Sequence, residues 1–220
     1  MGLGKIAFLR FVDEAVGGDG AGGGGGDRVV RGDYFVCRRL GLGFLKPASW
    51  HFRAFEDFAS DLEGQKLADD TVDAAEECAA HLEKLVVVIS RDPVGGKAEE
   101  DPVRFTPGIT IFSNSEDRAA AAADFRAVIV RAIEYFQTTL RKYAVLEQPR
   151  YRQISLCPSA RFTAEFIFEH RGMPPTRVRD QVLIIDQGTT IYTIHLYDSP
   201  WTGIVIDDEF EAFIGSLHLA

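Results

Sequence analysis

Histidine and carboxylate side chains on neighbouring predicted strands are the first candidates for catalysis in this chain. His195 and His170 lie on adjacent predicted strand regions, and Glu165 or Glu169 could face His195. A histidine beside a carboxylate is the minimum that general acid–base catalysis requires. His195 lies between two aliphatic residues, however, and this alternation favours the exposed face of a sheet or a single structural hydrogen bond. A small enzyme or small-molecule-binding protein using His195 and Glu165 is therefore the alternative interpretation.

A second candidate is a metal site built from Glu76, Glu77, Cys78 and His81. Residues three and four positions apart share one face of a helix, and carboxylate, thiolate and imidazole groups all bind zinc. A further ligand would have to come from elsewhere in the chain, and no other residue has the spacing to supply it. We therefore expect a solvated acidic helix here, with no metal and no cofactor.

The motifs of nucleophilic and nucleotide chemistry are not present in the sequence. Ser49 and Ser159 lie near prolines, outside the Gly-x-Ser-x-Gly frame of a nucleophile elbow. Gly95-Gly96-Lys97 lacks the strand–loop–helix context of a phosphate-binding loop and has the composition of a turn. These observations predict that the protein is not an enzyme.

Aromatic residues indicate a different kind of site, a surface for a partner. Trp50, Tyr192, Tyr197 and Trp201 are the candidates, together with His195. Aromatic side chains dominate the binding energy of many protein interfaces. Trp201 lies in a predicted loop, where both a position at the edge of the core and a partner-facing position remain open.

The charge of the chain limits the classes of partner. The 220 residues are enough for one domain with a sizeable core and an appendage. They include 24 lysines and arginines against 33 aspartates and glutamates, so the formal net charge is -9. Nucleic acids and anionic membranes both attract clustered cations. The charge therefore disfavours a nucleic acid or a membrane as the partner, and it is neutral toward proteins.

The cysteines and the first residues indicate the compartment. Cys37, Cys78 and Cys157 are an odd number without a close pair, so they predict no disulfide framework. The apolar run at the start is interrupted by charges before a signal-type core can form. No apolar run approaches the roughly 20 residues of a membrane helix. We therefore predict a cytoplasmic protein.

A glycine-rich stretch divides the chain. Residues 17–27 are almost pure glycine, with Gly22 to Gly26 unbroken, which is typical of a flexible linker. We predict a flexible N-terminal segment over residues 1–32 and a single domain over residues 33–220. The segment Met1–Val16 is either a disordered terminus or a tethered element that docks on its own domain, on a partner or on another copy. A monomer or weak homodimer is expected.

The middle of the chain is predicted to contain strands and helices. Apolar runs predict strands at Tyr34–Leu40, Lys84–Ser90 and Gly108–Phe112. The last two of these strands are expected to pair. Phe55–Leu67 has the apolar spacing of a short amphipathic helix, and residues 68–83 predict a second one. Ala119–Tyr143 is predicted to be a longer helix because its apolar residues recur on one face, and Pro149 is expected to end this segment.

The last third of the chain is predicted to form three long strands and a closing helix. These elements are Arg161–Arg171, Val178–Gln187, Thr189–Tyr197 and Asp207–Leu217. In the first strand, apolar residues occupy every second position from Phe162 to Phe168. One buried and one mostly solvated face is typical of an antiparallel sheet with helices on one side.

Two stretches of the sequence carry a family resemblance. Residues 40–50 read Leu-Gly-Leu-Gly-Phe-Leu-Lys-Pro-Ala-Ser-Trp, and Pro47 and Trp50 are their most specific positions. Residues 182–197 and a helix with Phe210, Phe213 and Ser216 form the second stretch. Together they resemble the opening and the close of the PsbP/DcrB/Mog-like superfamily. The resemblance covers residues 33–220, and the chain departs from that family in its long middle, residues 68–83 and 91–107.

The resemblance implies an α+β fold, specifically an α/β/α sandwich around a mostly antiparallel sheet. Members of the family are mostly non-enzymatic accessory proteins in photosystem II, in Ran-linked nuclear import and in bacterial secretion chaperoning, and they share no catalytic residues. Our hypothesis from the sequence is therefore a cytoplasmic, non-enzymatic protein-interaction module, with an adaptor or chaperone-like protein as the concrete version. The partner would be another protein.

Overall fold

The computed structural model describes residues 28–54, 84–92, 105–115, 124–170 and 173–220. Within these ranges the helices are α1 (Phe125–Thr139) and α2 (Asp207–Ser216), and a 3₁₀ turn spans Pro200–Thr202. The strands are β1 (Arg28–Arg31), β2 (Tyr34–Cys37), β3 (Leu42–Leu45), β4 (His51–Phe52), β5 (Leu85–Ser90), β6 (Gly108–Asn114), β7 (Ala144–Ile154), β8 (Cys157–Phe168), β9 (Thr176–Asp186), β10 (Ile191–Asp198) and β11 (His218–Leu219).

The strands form two antiparallel sheets, so the fold is α+β. The larger sheet has seven strands in the order β4-β5-β6-β10-β9-β8-β7, and the smaller has four in the order β1-β2-β3-β11. The strands predicted in the last third and the pairing of β5 with β6 are confirmed. The apolar run of β5 is buried at every position, which explains why it shows no alternation.

Both faces of the central strands are buried, because consecutive residues enter different hydrophobic clusters. Ile184 belongs to a cluster with Ile129 and Phe136 of α1, which we call the α1 core. Ile185 belongs to a cluster with Phe210 of α2 and with side chains of the small sheet, which we call the α2 core. The predicted arrangement with helices on one side of the sheet is therefore wrong: α1 and α2 pack against opposite sets of sheet residues.

Helix α1 begins where its cap requires it to begin. The Asp124 carboxylate accepts a hydrogen bond from the backbone N–H of Arg126 at 2.9 Å, which satisfies one of the free donors of the first turn. The helix ends at Thr139, so the predicted end at Tyr143 is too late. Residues 119–123 of the predicted helix lie outside the described residues.

Strand β7 lies in a segment for which the sequence pattern predicts no strand. Pro149 is no terminator here, because it lies in an edge strand of the sheet, where the register with β8 shifts between Glu147 and Arg150. Proline is tolerated in an edge strand or at a bulge because its missing N–H is not required there. Strand β1 lies within the segment assigned to the flexible linker and pairs with β2.

Several predicted features lie outside the described residues. They are the glycine run, the helix Phe55–Leu67, the acidic stretch 68–83 with its Glu76, Glu77, Cys78 and His81 group, and Gly95-Gly96-Lys97. In the part of the chain that the structure describes, no helix is long and apolar enough to cross a membrane.

Candidate functional site

Trp201 lies on the surface, in the 3₁₀ turn between β10 and α2. Its side chain is 44% exposed, although tryptophan is usually among the most buried residues on average. The guanidinium carbon of Arg177 lies 3.9 Å from the centroid of the indole ring. This contact is a cation–π interaction, which holds one face of the ring and leaves the rest of it to solvent.

Arg177 is itself held in place by a carboxylate. Its Nε donates a hydrogen bond to Glu165 Oε2 at 2.9 Å, and Nη2 forms an ion pair with the same oxygen. Arg177 lies on β9 and Glu165 on the neighbouring strand β8. The guanidinium is therefore held between Glu165 of the sheet and Trp201 of the turn. The orientation of Trp201 is therefore set before any partner arrives.

The backbone of the turn is fixed to the sheet as well. Ser199 Oγ donates a hydrogen bond to the Arg177 carbonyl at 2.7 Å, and Thr202 Oγ1 donates to the Ser199 carbonyl at 2.9 Å. Gly203 has a φ of 80°, a left-handed conformation that glycine adopts without strain. These contacts define a short rigid turn that presents Trp201.

A buried charge network joins the turn to α2. Asp198 is fully buried and accepts a hydrogen bond from Arg179 Nε at 2.7 Å. Arg179 Nη2 also donates to Asp207 at 2.7 Å, and Gln181 Nε2 donates to the same oxygen at 2.8 Å. The hydrogen bond to Asp198 is the main cause that raises the pKa of Arg179. Asp207, the first residue of α2, is thus hydrogen-bonded to β9, the strand that also carries Arg177.

We define the Trp201 surface as Trp201, Arg177 and Glu165. It offers an exposed aromatic face and one ion pair. Its residues include no serine, threonine, cysteine, lysine or histidine. It combines an aromatic face with a polar border.

His195 is buried and contacts a carboxylate other than Glu165. It is 4% exposed, and its Nδ1 lies 3.0 Å and 3.2 Å from the two carboxylate oxygens of Asp180. Of the two predicted alternatives, the exposed sheet face is wrong and the structural hydrogen bond is present, and the structure does not bring Glu165 to His195. Both residues are on the same sheet, but Glu165 pairs with Arg177, whereas Asp180 and His195 face the α1 core.

Aromatic rings enclose the His195 side chain. Tyr197 stacks on the imidazole with ring centroids 5.5 Å apart, and Phe136 of α1 meets it edge-on at 4.9 Å. The buried Tyr143 hydroxyl has no hydrogen-bond partner among the described residues. Burial, and then the nearby Asp180, raise the pKa values of both Tyr143 and Tyr197. A carboxylate–histidine pair can orient a general base, but α1 covers this one.

Trp50 and Tyr192 are core residues as well, and Tyr197 packs partly buried against the α1 core. Trp50 is 3% exposed and meets the Phe210 ring edge-on at 6.2 Å. Tyr192 is fully buried, and its single hydroxyl proton is shared between two acceptors, Gln187 Oε1 at 2.9 Å and the Leu40 carbonyl oxygen. Burial is the first cause that raises the pKa of Tyr192. Trp50 and Tyr192 are thus corrected from binding residues to core residues, while Trp201 lies at the surface.

Asp180 and Arg177 are the residues that sequence reasoning missed. Asp180 occupies a position between Val178 and Val182 on the buried face of β9, and a single acid in such a position indicates a buried partner. For Arg177 no comparable signal exists, because its stacking on Trp201 depends on the turn that follows β10. No group of three metal-ligating side chains that could hold an ion is present among the described residues.

Comparisons with known proteins find some similarity to solved structures. No family model and no curated protein matches the chain. It is similar to the PsbP protein (CyanoP) of Synechocystis sp. PCC 6803, with 14% identity and a TM-score of 0.45 over 92% of this chain and 99% of that one. It is also similar to the Pseudomonas aeruginosa protein PA94, of unknown function, with 12% identity and a TM-score of 0.36 over 47% of this chain and 65% of that one.

A third similar structure is a protein from Bacteroides thetaiotaomicron, with 12% identity and a TM-score of 0.41 over 82% of this chain and 45% of that one. A PsbP protein, a member of the superfamily that the sequence resembles, is thus among the similar structures, at a TM-score of 0.45. With identities of 12 to 14%, no function passes from these proteins to this chain.

Proposed function

We propose that this protein is a non-enzymatic protein-interaction module whose Trp201 surface binds an apolar segment of a partner protein. The observation that supports the proposal is the contact between Trp201 and Arg177. An exposed tryptophan is held in one orientation by a guanidinium at 3.9 Å, which is itself held by Glu165.

This arrangement favours binding for a thermodynamic reason. Ordering a free side chain at an interface costs roughly 0.5–1.5 kcal/mol, and a side chain that is already ordered avoids part of this cost. Tryptophan and arginine are also the residue types that are enriched at interface hot spots. The net charge of -9 supports a protein rather than a nucleic acid as the partner.

The absence of catalysis is part of the proposal. The buried carboxylate–histidine pair, Asp180 with His195, is enclosed by aromatic rings and by α1. Glu165, which the sequence suggests as the partner of His195, is engaged with Arg177. We further propose an α/β/α sandwich arrangement, a cytoplasmic location, an adaptor or chaperone-like role, and a monomer or weak homodimer.

The experiment compares two exposed aromatic residues that each contact an arginine. Tyr151 is the matched control, because it is 46% exposed and Arg126 lies 5.2 Å from its ring centroid. Full-length wild type, Trp201→Ala and Tyr151→Ala would be used to isolate partners from native lysate, and the dissociation constant of each purified partner would be measured. We expect Trp201→Ala to weaken one partner about ten-fold or more, and Tyr151→Ala to leave its affinity unchanged. Equal affinities for all three proteins would refute the proposal.

A second candidate, a small-molecule site or small enzyme, is favoured by the Asp180–His195 pair alone. It would use Asp180 in place of Glu165, and it requires His195 to become accessible. Modification by diethyl pyrocarbonate, mapped by mass spectrometry, tests this requirement, with the exposed His51 and His218 as internal controls. We expect His195 to react far more slowly than both. Reaction at the rate of His218 would favour the second candidate.

A further inference from the structure

The turn between β7 and β8 has an unusual backbone for its residues. Ser155 has a φ of 48° and Leu156 a φ of 68°, so both lie in the left-handed region. A two-residue hairpin turn with two positive φ angles is the type that strongly prefers Asn-Gly or a similar pair. Leucine is not suited to this conformation, because its Cβ crowds the backbone there.

Burial does not compensate for this strain. Leu156 is 89% exposed, the highest value among the exposed large apolar side chains of the described residues. Its neighbours Ile154 and Cys157 are partly buried and pack against the α2 core, so the base of the hairpin is anchored. Ser155 Oγ also donates a hydrogen bond to the Leu217 carbonyl at 3.3 Å. The turn therefore holds an apolar side chain out into solvent from a fixed base.

The charges beside the hairpin tip are mainly positive. Arg152 is exposed and has no ion-pair partner among the described residues, and the Arg150 side chain is 82% exposed. Glu147 lies 3.6 Å from Arg150, so this part of β7 carries one acid and two arginines. A complementary surface would be apolar where it meets Leu156 and would carry carboxylates around that point.

We propose that Leu156 is the anchor of a second docking site, and that it inserts into an apolar pocket with an acidic rim on a partner protein. The site is separate from the Trp201 surface. Arg177 pairs with Ile167 near the far end of β8, whereas Leu156 directly precedes its first residue, Cys157. Ile167 lies ten positions after Cys157 on β8, so at about 3.3 Å per residue the two sites are about 33 Å apart. Two partners can therefore be held at opposite ends of one strand, which is the geometry of an adaptor.

The experiment begins with a photoreactive diazirine amino acid at position 156 of the full-length protein, in native lysate. The matched control carries the same group at position 146, another exposed leucine position at a distance from the tip. We expect a protein that cross-links from position 156 and not from position 146. No such protein would overturn the proposal.

The cross-linked protein would then be produced and its dissociation constant measured. We expect Leu156→Gly to weaken binding about ten-fold or more, Arg152→Glu to weaken it and reduce its salt dependence, and Leu146→Ala to leave it unchanged. An affinity that Leu156→Gly does not change would overturn the proposal. Trp201→Ala is expected to have no effect on this partner. A loss of this partner's affinity with Trp201→Ala would overturn the proposal of a separate site at Leu156, but it would not refute the proposal that the Trp201 surface binds a protein.

A lipid surface is the other ligand that an exposed leucine beside arginines could meet. Vesicles of phosphatidylcholine and phosphatidylserine would be sedimented with wild type and with Leu156→Gly. We expect neither protein to sediment with the vesicles, because the chain has a net charge of -9. Sedimentation that depends on Leu156 would assign the tip to a membrane and overturn the proposal.

Discussion

His195 and Asp180 are joined across neighbouring strands at 3.0 Å, and both side chains lie under helix α1. The pair is buried beside the α1 core. Because Asp180 is fully buried, its carboxyl group depends on His195 as a hydrogen-bond partner.

We predict that His195→Phe lowers the free energy of unfolding by about 3–5 kcal/mol, because it leaves the Asp180 carboxyl buried without its partner. Replacing both residues, with His195→Phe and Asp180→Val together, is expected to cost less than the sum of the single changes. Glu165→Gln, which affects the more exposed ion pair with Arg177, is expected to cost about 1 kcal/mol or less. Urea denaturation measures all four variants, and a small effect of His195→Phe would contradict the structural role.

Removing the hydroxyl group of Tyr143 and removing that of Tyr192 are expected to change the free energy of unfolding in opposite directions. Tyr143→Phe is expected to stabilise the protein by about 1 kcal/mol, because the hydroxyl that it removes is buried without a partner among the described residues. Tyr192→Phe is expected to destabilise it by about 1–2 kcal/mol, because it breaks the hydrogen bonds to Gln187 and Leu40. The same denaturation experiment compares the two, and an equal effect of both substitutions would be inconsistent with this account.

Buried tyrosines also predict a loss of stability at alkaline pH. Burial raises the pKa of Tyr143 and of Tyr197 above the usual value near 10. The unfolded chain therefore releases these protons first, so their contribution to stability is complete below about pH 10 and falls as the pH rises further. Tyr143→Phe removes one such group. Above pH 10 the free energy of unfolding should therefore fall less steeply for this variant than for wild type, and the two slopes should differ by about 1.4 kcal/mol per pH unit. Identical slopes above pH 10 would count against the burial of Tyr143.

The strain at the β7–β8 turn predicts a stabilising substitution. Leu156→Gly relieves a left-handed leucine, worth about 1–2 kcal/mol, and loses about 0.5–1 kcal/mol to the greater freedom of glycine in the unfolded chain. The net expectation is a gain of up to about 1.5 kcal/mol in the free energy of unfolding. Leu146→Gly, at an exposed strand position without positive φ, should instead destabilise the protein. A loss of stability with Leu156→Gly would show that the turn is not strained.

Periodicity and composition were sufficient for much of the fold. The alternation from Phe162 to Phe168 and the buried run of β5 each follow from local pattern alone. Strand β7 was missed because a proline within a strand is indistinguishable from a terminator until the partner strand and the bulge are known. The formation of β7 depends on its pairing with β8, which the local sequence does not show.

The candidate site was less accessible from sequence. His195 alternates with aliphatic residues, a pattern that is typical of a strand with one exposed face. Both faces of β10 are buried, so this pattern could not predict the burial of His195. Trp50 and Trp201 are equally prominent in the sequence, and only the packing of Trp50 against Phe210 separates the core residue from the surface residue. The stacking of Arg177 on Trp201 joins residues that are distant in the chain, and no local pattern encodes it.

The most direct test of the Trp201 surface is the solvent exposure of Trp201 in the bound state. The chain has 2 tryptophans, so Trp50→Phe leaves Trp201 as the remaining tryptophan, which is excited selectively at wavelengths that tyrosine does not absorb. Acrylamide quenching of this full-length variant would be measured with and without the purified partner isolated through the Trp201 surface. We predict that the partner lowers the quenching constant at least about two-fold and shifts the emission to shorter wavelength, since hot-spot tryptophans are desolvated in complexes. An unchanged quenching constant at saturating partner would contradict the central claim.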